Sequence, residues 1–350
     1  MNRRLFVCAV ALAATFPVLP TATYAAPPAP DPQMKAVLQS LAELKPKPIE
    51  KLSPAEARKE PGPPDAVKRT LKKQGKAITP EPVAKVVDTT VPSPGGTIPV
   101  RVYTPAGAGA EPLPVIVYYH GGGWVIAGIN AYDASCRALA NAANAVVVSI
   151  GYRYAPENRF PAAHEDSYAA LQYVMNNAET MGGDKTRVAV AGESAGGNLA
   201  TAVCLMARDR KGKMPVHQLL VYPITDTRMN TPSYEMNKNA KPLNKPMMAW
   251  FFKHTIRKPS DKNSPYLAVL RNPNVCGLPP ATVITAEIDP LLSESKAYAD
   301  KLRKAGVPVR YKNYAGVTHE FFGMVAVIDK AKDAVAFAAE SLKEGFTKGQ

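Results

Sequence analysis

The chain has 350 residues and a formal net charge of +14, from 43 Lys and Arg against 29 Asp and Glu. The basic residues alternate with apolar and acidic ones and form no long run interleaved with aromatics, which argues against a nucleic-acid partner. Neither a Cys-x-x-Cys pair nor a close histidine pair occurs, so no disulfide framework and no metal site is expected. Cys136 and Cys204 fall in apolar helical patterns that are typical of buried thiols.

The first 25 residues are predicted to be a secretory signal peptide. Two arginines precede an apolar run over 5–16, and Thr23-Tyr24-Ala25 resembles a small-x-small cleavage site. The run is too short to span a bilayer. We therefore expect an exported protein, periplasmic or secreted, with no transmembrane span once residues 1–25 are removed.

Residues 26–82 form a proline-rich N-terminal segment with predicted helices at 33–44, 53–60 and 65–74. The start of the second helix is the clearest of the three. Ser53-Pro54-Ala55-Glu56 places an N-cap residue, a proline at the first helical position and an acidic first turn in succession.

From Val83 onward strand patterns and helix patterns alternate. Strands are predicted at 84–90, 98–103, 114–119, 145–150, 187–191, 216–222, 282–286 and 309–314, and helices at 133–143, 162–178, 195–208, 293–305 and 325–343. Two early strands followed by strand–helix alternation predict an α/β fold with a mostly parallel sheet and helices on both faces. The catalytic domain is assigned to 83–350, and the polar, proline-spaced stretch near 226–263 is the candidate for an insertion in it.

The Val-rich strand over 187–191 leads through Gly192-Glu193-Ser194-Ala195-Gly196 straight into a helix. A serine at such a turn has its oxygen lifted out of the sheet, and the glycines two positions to either side leave room for the sharp turn. The following helix N-terminus offers free N–H groups and a positive dipole end to a developing oxyanion. Ser194 is the candidate nucleophile, and an ordinary Gly/Ser turn is the alternative.

His319 is the candidate general base for Ser194. It follows the last predicted strand, and open α/β sheets place their chemistry at the carboxyl ends of their strands. A solvated loop histidine is the alternative. The other histidines lie at the head of a glycine run, in a helix pattern, at a strand start and in the insertion: His120, His164, His217 and His254.

Asp289 is the candidate for the group that orients the imidazole and stabilises its cation. It follows the strand over 282–286, again at a carboxyl end. Glu287 and Glu294 compete for this role, but Glu287 lies close to the strand and Glu294 belongs to the next helix. The alternative for Asp289 is a helix N-cap.

The stretch His120-Gly121-Gly122-Gly123 directly follows the strand over 114–119 and is the candidate oxyanion hole. Successive glycines let backbone N–H groups approach a tetrahedral oxygen, so Gly121, Gly122 and Gly123 are assigned as donors together with Ala195. A phosphate-binding loop is the alternative, but no Lys-Ser/Thr follows and no dinucleotide fingerprint occurs.

Taken together, these motifs resemble the hormone-sensitive-lipase-like (family IV) esterases of the α/β-hydrolase superfamily. The shared pieces run in the family's order from about Val83 to the C-terminus: His120-Gly121-Gly122-Gly123, Tyr152-Arg153-Tyr154-Ala155-Pro156-Glu157, Phe160-Pro161-Ala162-Ala163, Gly192-Glu193-Ser194-Ala195-Gly196-Gly197-Asn198, Ser264-Pro265-Tyr266, Ala286-Glu287-Ile288-Asp289-Pro290-Leu291 and His319-Glu320-Phe321. The order Ser194…Asp289…His319 is also the one expected for this fold. Three positions depart from the family: Glu193 stands where Asp is usual, Glu320 where Gly is usual, and Tyr154 where Leu is common.

The resemblance implies an eight-stranded sheet with a helical cap built from 26–82 and 226–263. It also implies a serine carboxylesterase that hydrolyses short-acyl esters without a cofactor or metal. The expected partner is a small-molecule ester, with a homodimer as the candidate assembly. Trp124, Tyr222 and 250–252 either line the substrate pocket or belong to the core. The same triad would also serve amide or carbamate hydrolysis. A non-catalytic binding protein on this scaffold is the remaining alternative, and it would be expected to lack a triad or oxyanion member.

Overall fold

The structure, a computed structural model, describes residues 28–348. The predicted signal peptide at 1–25 lies outside the described residues. Of the helices between residues 28 and 348, none combines the length and the apolar character that a bilayer span requires.

Eight strands form one sheet in the order β1-β2-β4-β3-β5-β6-β7-β8. They are β1 (Lys85–Ser93), β2 (Gly96–Thr104), β3 (Leu113–Tyr119), β4 (Val146–Ile150), β5 (Gly183–Glu193), β6 (Gln218–Val221), β7 (Ala281–Ile288) and β8 (Val309–Thr318). β2 pairs antiparallel with β1 and β4, and every other pairing is parallel. The mostly parallel eight-stranded sheet expected from the sequence is confirmed.

Each strand differs from its predicted range at one or both ends, and three of these differences have a clear structural basis or consequence. β5 begins at Gly183, because this glycine pairs with Leu113 of β3 ahead of the Val-rich run. β6 ends at Val221, because Tyr222 has a φ of 36° and leaves the extended conformation. β8 continues to Thr318, which brings the sheet directly to the residue before His319.

Both faces of the sheet are buried beneath helices, as predicted. The long helices are α4 (Asp133–Ala143), α5 (Ala162–Asn177), α6 (Ala195–Asp209), α9 (Leu292–Lys304) and α10 (Asp329–Lys348). Along β3 the side chains alternate between the two apolar clusters, so Val115 and Val117 meet α5 and α6, whereas Ile116 meets α4 and α10. Cys136 and Cys204 are buried free thiols within these layers, as expected, and Cys276 is exposed.

Residues 28–82 form the helices α1 (Pro32–Glu43), α2 (Pro54–Ala57) and α3 (Pro63–Lys73). The predicted N-cap is present, since Ser53 Oγ accepts from Glu56 N at 3.3 Å and Glu56 Oε2 accepts from Ser53 N at 3.0 Å. α2 is shorter than predicted, because the residue before Pro61 is disfavoured in the helical conformation.

The N-terminal segment is fastened to the loops that follow β3 and β4. Arg58 donates to the carbonyl oxygens of Val125 and Ala155 at 2.8 and 2.9 Å, and pairs with the Glu157 carboxylate at 2.7 Å. These bonds bring the segment next to the loop that contains the glycine run.

Within 226–263 the chain forms α7 (Pro232–Met236) and α8 (Lys245–Thr255). The Asn244 side chain caps α8 by accepting from Met247 N at 2.9 Å. From α8, Trp250 Nε1 donates to Leu52 O of the N-terminal segment at 3.1 Å. The two stretches assigned to a cap therefore contact each other, and their role as a cap stays a prediction.

Candidate active site

Ser194 occupies the junction between the end of β5 and the start of α6. Its backbone has φ 58° and ψ −117°, a conformation that costs a non-glycine residue on the order of 1–3 kcal/mol. The chain holds this conformation through hydrogen bonds, among them Ser194 N to Val221 O at 2.9 Å and Ile224 N to Ser194 O at 3.1 Å. The predicted strand-to-helix turn is present, and it carries backbone strain at the candidate nucleophile.

The glycines on either side of Ser194 are required by close backbone packing. A Cβ on Gly192 would lie 2.1 Å from the carbonyl oxygen of Gly196, and a Cβ on Gly196 would lie 1.9 Å from that of Tyr119. Both clashes are with backbone, which cannot rotate away. The sharp turn at Ser194 therefore leaves no space for a side chain at either position, as the sequence motif predicts.

Asp289 and His319 meet in the buried interior at the carboxyl ends of β7 and β8. His319 Nδ1 lies 2.7 Å from Asp289 Oδ2, and the exposed fractions of the two side chains are 3% and 0%. Burial by itself lowers the pKa of His319, but the negative charges of Asp289, Glu320 and Glu193 outweigh it and raise the pKa above the ordinary 6.5. Because Nδ1 is engaged, Nε2 is the ring nitrogen left to take a proton.

The two competing glutamates have other partners. Glu287 Oε2 accepts from Gly316 N at 2.7 Å, and Glu294 Oε1 accepts from Thr225 N at 2.7 Å. Asp289 is not the N-cap of α9, since Leu291 occupies that position and no side chain caps the helix. Instead, Asp289 Oδ1 accepts from Leu291 N at 2.9 Å within its own loop, while Oδ2 contacts His319.

The other buried histidines contact neutral groups. His120 Nδ1 lies 2.8 Å from Gly121 O, His164 Nε2 lies 3.0 Å from Asn198 Oδ1, and His217 Nε2 lies 2.9 Å from Thr282 Oγ1. Burial lowers the pKa of His120 and of His164 to about 4. The contact of His120 with the glycine run fits the backbone-ordering position that its place in the sequence indicates.

The glycine run turns sharply beside the serine. Gly122 and Gly123 have φ values of 96° and 59°, and Gly122 O accepts from Val125 N and Ile126 N, each at 3.0 Å. Within residues 28–348, no backbone or side-chain acceptor takes the N–H of either glycine. The N–H of Ala195, the first residue of α6, likewise has no acceptor inside the helix. Donors are therefore available at the predicted place.

One cavity of about 200 Å³ brings the candidates together, since Ser194, His319, Gly122 and Gly123 all line it. Gly121 and Ala195 are not among its lining residues, so their oxyanion role rests on the sequence motif. The apolar wall comes largely from the N-terminal segment and from α8 with its preceding loop, and includes Leu41, Ile49, Ile126, Leu243, Met247 and Phe251.

The aromatic residues divide between wall and core. Phe251 faces the cavity and packs against the backbone of Gly123, where a Cβ would lie 2.2 Å from its ring. Trp124 and Tyr222 are fully buried in the core instead. Trp250 and Phe252 are also buried, and Phe252 packs against Trp124 with ring centroids 6.2 Å apart.

The sequence reasoning missed a group of carboxyls and tyrosines beside His319. Glu193 is fully buried and accepts hydrogen bonds from the hydroxyls of Tyr118 and Tyr222. Tyr132 Oη donates to both oxygens of Glu320, at 2.7 and 2.9 Å. Burial raises the pKa of both glutamates, and the Glu320 charge raises that of Glu193 further. The sequence held one signal for this group, because Glu193 and Glu320 both replace the residue that is usual at their positions in the family.

Across the part of the chain that the structure describes, no group of three or more His, Cys, Asp and Glu side chains could hold a metal ion.

The comparison with known proteins agrees with this fold. The α/β-hydrolase-fold family matches residues 116–323. Carboxylesterase NlhH of Mycobacterium tuberculosis is 40% identical over 273 residues, which cover 75% of this chain and 83% of that protein. The ethyl acetate hydrolase of Pseudomonas putida is 35% identical over 276 residues, or 77% of this chain and 85% of that protein. The hyperthermophilic esterase of Pyrobaculum calidifontis superposes with a TM-score of 0.81 at 36% identity, covering 92% of this chain and 100% of that one.

The fold, the strand-to-helix serine and the buried Asp289–His319 pair thus define an α/β-hydrolase. Within that fold the chain belongs to the hormone-sensitive-lipase-like (family IV) carboxylesterases, as the sequence motifs indicated.

Proposed function

We propose that the chain is a serine carboxylesterase that hydrolyses short-acyl esters through an acyl-enzyme. The observation that carries this proposal is the buried Asp289–His319 pair beside the same small cavity that Ser194 lines. The relatives named as a carboxylesterase, an ethyl acetate hydrolase and an esterase support ester hydrolysis as the chemistry.

In the first half of the reaction His319 Nε2 takes the proton of Ser194 as its oxygen attacks the ester carbonyl carbon. The N–H groups of Gly122, Gly123 and Ala195 stabilise the oxyanion, and loss of one such donor typically costs about 3 kcal/mol. The alcohol then leaves with the proton from Nε2, and the acyl group remains on Ser194.

In the second half a water molecule replaces the alcohol. Nε2 takes a proton from this water, the water oxygen attacks the acyl carbon, and the Ser194 oxygen leaves with the proton. In both halves the Asp289 carboxylate accepts a hydrogen bond from Nδ1 and stabilises the positive charge of the His319 ring while it is an imidazolium.

The small volume of the cavity supports short acyl groups. Its 200 Å³ are walled by apolar side chains such as Phe251 and Met247, and binding pockets for drug-sized ligands are typically about 300–1,000 Å³. We expect p-nitrophenyl acetate and butyrate to be hydrolysed faster than the dodecanoate. Faster turnover of the dodecanoate would contradict this part of the proposal.

Ester preference is tested with matched substrates. p-Nitrophenyl butyrate and butyryl p-nitroanilide share the acyl group and differ only in the bond that is broken, so their hydrolysis rates can be compared directly. We expect the ester to be turned over and the anilide to be nearly inert. Turnover of the anilide alone would instead favour the amide-hydrolase alternative.

Export and self-association are part of the same proposal. The Arg-led apolar run before Thr23-Tyr24-Ala25 supports a cleaved leader. N-terminal sequencing of protein from the periplasm and the medium tests it, with mature chains beginning at residue 26 or 27 as the expected result. Sedimentation velocity tests the homodimer, which a single species of 37.5 kDa or less would contradict.

A further inference from the structure

Glu320 combines features that packing alone does not explain. It lies in the left-handed region with φ 70° and ψ 4°, where glycine is favoured, and it places a carboxyl group in a partly buried position. Both features oppose folding, yet its side chain is fixed by the hydroxyl of Tyr132, which donates to both of its oxygens. Glu320 and Tyr132 also line the cavity that contains Ser194 and His319.

The carboxyl of Glu320 lies beside the nitrogen that handles protons. Its Oε1 is 3.8 Å from His319 Nε2, whereas Asp289 occupies the opposite nitrogen of the same ring. A water oxygen placed about 2.8 Å from both Oε1 and Nε2, which is an ordinary hydrogen-bond distance, would make an Oε1–O–Nε2 angle of about 85°. One water molecule can therefore donate one proton to Nε2 and the other to Oε1.

We infer that Glu320 is a catalytic residue of the second half-reaction, which binds and orients the water that attacks the acyl-enzyme. The inference rests on the proposed function. One O–H of the water donates to Oε1 and stays intact, while the other gives its proton to Nε2. The water oxygen forms the new bond to the acyl carbon. The bond from that carbon to Ser194 Oγ then breaks, and Oγ takes the proton from Nε2. Glu320 itself neither gains nor loses a proton.

Methanol separates this role from a structural one. It has a single O–H, which it donates to Nε2, so it has no proton left for Glu320. A defect in folding or in the placement of His319 would slow hydrolysis and methanolysis of the acyl-enzyme alike. Loss of the water-binding oxygen slows hydrolysis selectively.

The test uses the full chain, p-nitrophenyl acetate and increasing methanol, with acetic acid and methyl acetate measured as products. For Glu320→Gly we expect the ratio of acetic acid to methyl acetate to fall about tenfold, the effect of one hydrogen bond to a charged group. The pre-steady-state rate of p-nitrophenol release is measured alongside, and a change in it does not enter the ratio, because both products form from the same acyl-enzyme. Glycine suits the backbone at this position, so the variant is expected to fold.

Three further variants sharpen the result. Glu320→Gln keeps an acceptor oxygen and is expected to give an intermediate ratio, and Tyr132→Phe, which releases the carboxyl, is expected to shift the ratio in the same direction. Glu81→Gln makes the same charge change at an exposed position and is expected to leave the ratio unchanged. An unchanged ratio in Glu320→Gly with a normal burst would overturn the inference alone. A wild-type chain that does not turn over p-nitrophenyl acetate at all would refute the proposed function and the inference with it.

Discussion

One carboxylate, that of Asp289, binds both the imidazole of His319 and the backbone of its own loop. Its Oδ2 lies 2.7 Å from His319 Nδ1, and its Oδ1 accepts from Leu291 N at 2.9 Å. The backbone bond fixes the carboxylate, and the fixed carboxylate in turn fixes the ring. The orientation of the base is therefore set by the chain immediately after β7.

Replacing this carboxylate with an amide should remove activity and leave the fold. Asp289→Asn keeps an oxygen for Leu291 N but presents the ring with an amide in place of the carboxylate. We expect kcat/KM for p-nitrophenyl butyrate to fall about 10³–10⁴-fold, because the imidazolium loses its counter-charge and its tautomer. Thermal unfolding followed by circular dichroism reports whether the fold persists.

Glu287→Gln is the matched control, with the same chemical change two residues earlier. Its amide oxygen can still accept from Gly316 N, and Glu287 does not contact His319 in the structure. We expect its kcat/KM to stay within about threefold of wild type. Full activity in Asp289→Asn, or an equal loss in both variants, would contradict the assignment of Asp289.

The pH dependence of activity should reflect a histidine with a raised pKa. Burial lowers the pKa of His319, but the Asp289 carboxylate, with Glu320 and Glu193, brings it above 6.5. The base must be neutral to accept a proton, so activity is lost as pH falls through this pKa and gained as pH rises. We expect kcat/KM, measured from about pH 5 to about pH 9, to rise with a midpoint above the ordinary histidine value of about 6.5. Glu320→Gln should move the midpoint to lower pH, and a wild-type midpoint below 6.5 would disagree with the structure.

The serine turn should not tolerate a methyl group at Gly196. Its Cβ would lie 1.9 Å from the carbonyl oxygen of Tyr119, so the backbone of β3 or α6 must move. We expect Gly196→Ala to lower the free energy of unfolding in urea by about 3 kcal/mol and to abolish activity. In Gly107→Ala nothing lies within 4 Å of the added carbon, so the free energy of unfolding and the activity should stay unchanged. Equal stability of the two variants would show that the turn is not as tightly packed as described.

Chain-length preference should depend on Phe251. Its ring lines the cavity, so Phe251→Ala lengthens the space open to an acyl chain. We expect the ratio of kcat/KM for octanoate over acetate esters to rise about tenfold, the effect of one or two accommodated methylenes. Phe252→Ala removes the neighbouring buried ring, which packs on Trp124 away from the cavity lining. That variant should lose stability, typically about 3–5 kcal/mol, without a change in the ratio. A ratio that moves equally in both would remove Phe251 from the acyl site.

Local sequence was sufficient to predict the sheet and the course of the main chain at the site. The Val-rich runs of β3, β4 and β5 predict buried parallel strands, and the motif around Ser194 predicts the strand-to-helix turn that the structure contains. The predicted end of β6 was wrong, because nothing in the apolar pattern of the sequence indicates the positive φ of Tyr222. α2 was predicted too long, although the proline at position 61 disfavours a helical conformation at the residue before it.

The group around Glu193 and Glu320 could not be predicted in the same way. Tyr132 and Glu320 are 188 positions apart in the chain, and no periodicity relates them. Tyr118 lies on β3 and Tyr222 directly follows β6, and in both places an apolar pattern describes the ring but not the partner of the hydroxyl. Only the unusual glutamates at two motif positions indicated that this side of the imidazole differs from the family.

The most direct test of the account is a pre-steady-state burst with p-nitrophenyl acetate in wild type and Ser194→Ala. Because acylation releases p-nitrophenol before the acyl group leaves, wild type should release about one equivalent per chain and then settle to a slower steady rate. Ser194→Ala should show neither the burst nor turnover above background. Persistent turnover in Ser194→Ala would contradict Ser194 as the nucleophile and, with it, the central claim.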